Sequence, residues 1–100
     1  MAEEDVLRAV AWYEGQRAGL GVKFLDRVNQ AIERIAQGPQ GHTKVIREAR
    51  KVELERFPYA LWYTIETDES IVIACLHGRR DRVLAKERAH GVIELRKPKL

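Results

Sequence analysis

ERFPYALWYTIETDESIVIACLHGRR, residues 55–80, decides how this chain folds. Two apolar runs flank the polar break Thr67-Asp68-Glu69-Ser70, and the stretch stops at a histidine, a glycine and two arginines. In the first run Tyr59, Leu61, Tyr63 and Ile65 alternate with Ala60, Trp62, Thr64 and Glu66, which is the period of a β-strand. The second run, residues 71–76, is apolar at every position, so it predicts a central strand covered on both faces. The break between them supplies a turn, and the pair reads as an antiparallel hairpin. What remains open is whether the basic end, His77-Gly78-Arg79-Arg80, is a working site or a solvated rim.

Working outward, residues 50–57 predict another strand, with Val52 and Leu54 alternating against Lys51, Glu53 and Glu55. Pro58 ends or kinks it, because proline has no amide proton for the ladder. Residues 44–47 suit a short strand. Further upstream the period changes to that of helices. Over residues 3–15, Val6, Val10 and Tyr13 recur at helical spacing, Leu7 and Ala11 widen the stripe, and Glu3, Glu4 and Asp5 crowd the first turn. Gly15 and Gly19-Leu20-Gly21 break that pattern, and a second helix follows over residues 22–37. Leu25, Val28, Ile32 and Ile35 share one of its faces, with Phe24 and Ala31 beside them, and Gly38-Pro39 ends it. Past Arg80, DRVLAKERAHG suits a short helix ending at Gly91, and VIELRKPKL a brief strand before a basic tail. The expected architecture is α+β: an N-terminal αα-hairpin, about residues 3–37, packed on a small antiparallel sheet, about 44–77, with a basic segment over 79–100. No repeat, linker or low-complexity run divides the chain, so one domain is expected over its 100 residues.

Composition narrows the function classes. An apolar share of 45% with 33% charged residues is that of a soluble globular chain. The net charge is +3, but residues 79–100 alone carry eight Lys/Arg against three Asp/Glu, a net of +5. Such an end suits nucleic acid, an acidic protein segment or an acidic groove, and a merely solubilising face is the plain alternative. The one cysteine, Cys75, excludes an internal disulfide and, inside IVIACL, reads as a buried inert thiol. No His/Cys cluster has metal-ligand spacing and no cofactor is called for. The start is acidic where a signal peptide is basic, and no apolar run reaches membrane-spanning length, so a cytoplasmic protein is expected.

Several of these residues, in this order, carry a resemblance. Ala11-Trp12-Tyr13-Glu14, then Gly19-Leu20-Gly21 with Phe24, the second helix up to Gly38-Pro39, Arg50, Arg56-Phe57-Pro58-Tyr59, Tyr63 and His77-Gly78-Arg79-Arg80 are similar to the ParE/RelE superfamily of bacterial type II toxins, sometimes labelled plasmid stabilisation proteins. The resemblance spans about residues 2–88. It implies two helices packed on a small antiparallel sheet and an antitoxin partner that wraps and neutralises the toxin. Members of the superfamily usually open with a β-strand, whereas this chain begins almost at its first helix. Either that strand lies upstream or the sheet has a strand fewer, which leaves an unpaired edge on which another chain can pair, with residues 92–95 a weak candidate to fill it.

The superfamily holds two activities. The RelE-like branch cuts messenger RNA on the ribosome, which needs a group to activate the 2′-OH, cations on the phosphate and an acid for the leaving oxygen. Arg80 stands where that pattern has one arginine, but Ala60 replaces another, and Ala85 and Lys86 lie near the place of the usual tyrosine. His77 and Arg80, with Arg79 and Glu53 or Glu55, are the residues from which an unusual nuclease site would be built. Against this, His77 reads as a local strand-end residue, and His42 and His90 as surface residues. The ParE-like branch poisons DNA gyrase by binding, which fits a chain without the full nuclease set. In that reading Arg79, Arg80, Arg82, Lys86 and Arg88 contact gyrase or its DNA. Arg50, Arg56 and Trp62 contact the antitoxin, and operator DNA is reached only through the antitoxin. Trp62, on the strand face opposite Tyr59, Leu61 and Tyr63, is expected to be exposed and to anchor a partner, while Trp12 reads as core or rim packing. A non-toxic remnant that retains antitoxin binding is a third reading.

Overall fold

In the computed structural model, which describes residues 2–78, two helices come first: α1 over Ala2–Gln16 and α2 over Leu20–Gln37. A 3-10 turn at Pro39–Gly41 leads into four strands, β1 Lys44–Ile46, β2 Ala49–Glu53, β3 Tyr59–Glu66 and β4 Glu69–His77. The strands form an antiparallel meander in the order β1-β2-β3-β4, with the helices on one face. The expected α+β architecture is therefore the observed one. The expected C-terminal helix and last strand lie outside the described residues.

The helices meet through a small residue. A methyl group on Gly21 would stand 2.9 Å from the Val10 carbonyl oxygen and 3.1 Å from Glu14 Cβ, so only glycine lets α2 approach α1 this closely. That contact fixes the rotation of α2. Phe24, Val28, Ala31 and Ile35 point into the core, and Leu25 and Ile32 are left 43% exposed. The expected stripe keeps Val28 and Ile35 but exchanges Leu25 and Ile32 for Phe24 and Ala31, a turn of the buried face by about 50°. On α1 the buried face is Asp5, Ala9 and the partly buried Val6, Val10 and Tyr13; Leu7 and Ala11 point outward instead of widening it.

The connection between the helices is held by one carboxylate. Gly19 has φ +90°, open to glycine at no steric cost. No side chain at that position caps α2, yet helix N-termini leave amide protons without intrahelical partners. Glu14, from the last turn of α1, supplies the acceptor: Gly19 N–H donates to its Oε1 and Oε2 at 3.1 and 2.9 Å, and Gly21 N–H donates to Oε1 at 2.9 Å. These hydrogen bonds hold the Glu14 carboxyl below its ordinary pKa, against a smaller opposing effect of burial.

In the sheet, β3 and β4 are joined by Thr67 and Asp68, both at positive φ (47° and 66°), the backbone of a tight type I′ hairpin turn. The β3–β4 register jumps: Trp62 pairs with Ala74 but Tyr63 with Val72, leaving Ile73 as an extra residue. This bulge sends Ile73 and Ala74 to the same side. Val72 and Cys75 face the helices, whereas Ile71, Ile73, Ala74 and Leu76 join Trp62 and Ala49 in a second cluster on the far face. Both faces of β4 are covered, as its unbroken apolar run predicts. Its position is corrected, however: among the described residues β4 ends the sheet.

The physical reason is α1, which lies along that edge. Asp5, 5% exposed, accepts the backbone N–H of Cys75 through Oδ2 at 3.0 Å. A side chain thus satisfies a donor that a neighbouring strand would otherwise take. The expected exposure of Trp62 is corrected too: it points away from the helices, but it is 4% exposed and packed in the second cluster, with the Lys51 ammonium 5.6 Å from its ring centre. The strand expected over residues 50–57 stops at Glu53, and Pro58 sits immediately before β3.

Two stability predictions follow from these contacts. Asp5→Ala leaves the buried Cys75 N–H without an acceptor and is expected to cost about 2 kcal/mol in denaturant unfolding, whereas Leu7→Ala, on the open face of the same helix, stays within about 0.5 kcal/mol. Glu14→Gln lowers the melting temperature at neutral pH. Because the folded carboxyl titrates below 4.5, the wild-type advantage is complete above that value and is lost as pH falls through the lowered pKa. Melting curves of the two proteins should converge in acid; a gap that persists there refutes the charge-based cap.

Candidate functional site

Aromatic rings lock the turn between β2 and β3 onto the helices. Tyr13 of α1 stacks on Phe24 of α2 at 5.3 Å, and Phe57 meets both edge-on at 4.9 and 5.1 Å. Tyr59 closes the group against Phe24 at 5.1 Å. Each such pair contributes about 0.5–1.5 kcal/mol beyond its buried area. Burial, with a smaller contribution from Tyr59, pushes the Tyr13 hydroxyl pKa up. The turn itself is held by Leu54 N–H donating to Tyr59 O at 2.9 Å and Tyr59 N–H to Phe57 O at 2.8 Å, and this geometry places Arg56 at φ +69°.

Beside that turn lies an open groove of about 740 Å³, within the range of ligand clefts. Tyr13, Leu20, Phe57 and Pro58 provide apolar walls, and Arg17, Lys23, Arg27 and Arg56 face a single acid, Asp26. Arg27 is engaged, donating to Glu55 Oε2 at 3.1 Å and Gln30 Oε1 at 3.3 Å. Asp26 is engaged as well, accepting from Gln30 Nε2 at 3.0 Å. Among the described residues, the side chains of Arg17, Lys23 and Arg56 have no hydrogen-bond or ion-pair partner.

The candidate contacts read from the sequence are not gathered in one place. Arg56 lies on the groove. Arg50 sits across β2–β3 from Tyr63, and its guanidinium donates to His42 O at 2.5 Å and Gln40 O at 3.3 Å, clamping the segment before β1. Tyr63 braces the same segment by donating its hydroxyl to Pro39 O at 2.5 Å. Trp62 is buried on the far face of the sheet. His77 is exposed at the end of β4, its ring edge-on to Tyr59 at 5.4 Å, and Gly78 N–H donates to Pro58 O at 2.7 Å. Glu53 pairs with Lys51 at 3.7 Å and Glu55 with Arg27, so each carboxylate is tied to a cation other than a partner of His77. Arg79, Arg80, Arg82, Lys86 and Arg88 lie outside the described residues. Trp12 is 58% exposed, its ring edge against Tyr13 at 5.0 Å.

Sequence reasoning missed Arg17 and Lys23, which look there like ordinary helix-surface charges. The signal that could have found them is their position on either side of Gly19-Leu20-Gly21, at a junction where two helices end together. Among the described residues, no three His, Cys, Asp or Glu side chains gather as a set of metal ligands, and no helix is long and apolar enough to cross a membrane.

No curated protein and no solved structure matches this chain. One family model does, described as the ParE toxin of type II toxin-antitoxin system, parDE, and it matches residues 1–82. The match takes in both helices and all four strands, including the Gly21 contact, the Phe57 turn and the exit of β4. The chain therefore belongs to the ParE toxin family of type II toxin-antitoxin systems.

Proposed function

We propose that this toxin acts by binding DNA gyrase, stabilises its cleaved-DNA complex, and is neutralised by a cognate antitoxin. Family membership over residues 1–82 supports the toxin role. One observation carries the choice of target. Ala60, 1% exposed and the second residue of β3, occupies the place where the RelE-like pattern has an arginine. A methyl group there neither stabilises phosphate charge nor moves a proton, so a toxin of this build works through surface complementarity and leaves the chemistry to its target. The basic residues Arg79, Arg80, Arg82, Lys86 and Arg88 are the proposed contacts with gyrase and its DNA, following directly after the strand end that Gly78 ties to Pro58. Such contacts neutralise phosphates and weaken steeply with salt.

The test is supercoiling by purified gyrase titrated with folded toxin free of antitoxin. Inhibition with accumulation of linear, gyrase-linked DNA is expected. Replacing Arg79, Arg80 and Arg82 together by Glu should raise the inhibitory concentration about tenfold or more, two or three screened contacts at about 0.5–1 kcal/mol each. Unchanged supercoiling, together with cleavage of messenger RNA at translated codons that is lost in His77→Ala, would instead place the toxin on the ribosome.

A further inference from the structure

We propose that the face of the sheet turned away from the helices is the docking surface for the chain's own residues 83–95. That face carries a second core. Ala49, Trp62, Ile73, Ala74 and Leu76 form its buried cluster, with Val45 and Ile71 packed against it. Every one of these residues belongs to the sheet, and both helices lie on the other side, with Phe24, Val28 and Ile35. A sheet face that lacks a second layer leaves the tops of its side chains in water. Here Trp62 is only 4% exposed, and Ala49 and Ala74 are fully buried. A tryptophan shelters the small side chains beside it but not itself. The Lys51 ammonium, 5.6 Å from its ring centre, covers part of the ring and is itself partly exposed. These exposures are those of one chain by itself, so the rest of the cover belongs to the chain.

Thr64 adds an independent observation. It follows Trp62 by two residues on β3 and so shares its face. It is 3% exposed, yet its hydroxyl has no hydrogen-bond partner among the described residues. Native structures seldom leave such a group unpaired. A backbone group of the covering segment satisfies it.

Position and composition name the segment. Leu76, a member of the cluster, is the last residue but one of β4. Gly78 N–H, donating to Pro58 O at 2.7 Å, fixes the point where the chain leaves the sheet. Residues 79–100 follow. The first four of them span at most about 14 Å, against about 10 Å between stacked layers, so the chain can turn over the end of the sheet within them. Val83, Leu84 and Ala85 come next, and then Val92, Ile93 and Leu95. These are the apolar side chains that a water-exposed apolar face would take up. Seating them holds Arg79, Arg80 and Arg82 between two anchored points, the Gly78 tie and the covered face. The seating does not depend on gyrase being the target.

The test uses the full, isotope-labelled chain without antitoxin or gyrase. NOEs should connect the Trp62 indole and the Ala74 methyl with methyl groups of Val83, Leu84, Val92, Ile93 or Leu95. A second measurement follows Trp62 by fluorescence in Trp12→Phe, which removes the exposed tryptophan. In that background the double change Val83→Asp with Leu84→Asp, and separately Ile93→Asp, should shift Trp62 emission to the red and open the ring to acrylamide quenching. Lys99→Glu, beyond the segment, should leave both unchanged. Should the aspartate variants lose helix circular dichroism as well, the NOEs of the wild-type chain decide. A folded wild type in which Trp62 has no contact with residues 83–95 overturns the proposal, and so does Trp62 emission that ignores the folded variants. NOEs found only between differently labelled chains in a mixed sample would give the cover to a second copy. Backbone NOEs joining residues 92–95 to β4, without indole contacts, would move the segment to the sheet edge. Either result overturns it too. Failure of the toxin to inhibit gyrase sinks the target reading and leaves the covered face standing.

Discussion

The hydrogen bond from Cys75 N–H to the Asp5 carboxylate joins the first turn of α1 to the last strand of the sheet, 70 residues apart in sequence. Every layer of the fold depends on it. It holds α1 along β4, so that Ala9 and Tyr13 reach the core. With α1 in place, the Gly21 contact sets α2, and Phe24 then arrives under Phe57 and Tyr59. A buried carboxylate is ordinarily costly. Here it is offset because a sheet edge presents backbone donors that must be satisfied in any case. Among the described residues, the β4 edge that would invite another chain is thus partly occupied by the protein's own helix.

How much of this was legible in the sequence differs by level. The alternation along β3 separates Leu61 and Tyr63 from Trp62, and the structure places them in opposite clusters. Alternation tells which face a side chain takes; it says nothing of what covers that face, and so it does not reveal that Trp62 is buried. The rotation of α2 was illegible for a different reason. Leu25 with Ile32 and Phe24 with Ala31 both fit a helical period, and the choice was made by one backbone contact at Gly21 that periodicity does not register. The bulge at Ile73 was hidden because all six residues of the run are apolar, leaving no polar residue to mark the change of face.

The site was less legible than the fold. Arg56 was singled out by its place next to Phe57-Pro58-Tyr59, and it does line the groove. Arg50 carries the same charge three residues from β2's end, yet it is spent on loop carbonyls. Only partner geometry tells a structural arginine from one held in reserve. The groove also shows why aromatic residues cluster in this chain: Tyr13 and Phe57 line it, and together with Tyr59 they pack the β2–β3 turn against the helices. They make a short turn rigid enough to hold a cation in place.

Burial, reinforced by the neighbouring Asp5, pushes the Cys75 thiol up to about 12. At neutral pH the thiol of the folded protein is then protonated, and the thiolate is the reactive form. The sulfur is therefore protected from oxidation and alkylation for as long as α1 stays seated, and becomes an ordinary thiol once the helix lifts from β4. The chain carries one cysteine, so it has a built-in clock: its rate of modification reports how often the first helix leaves the sheet.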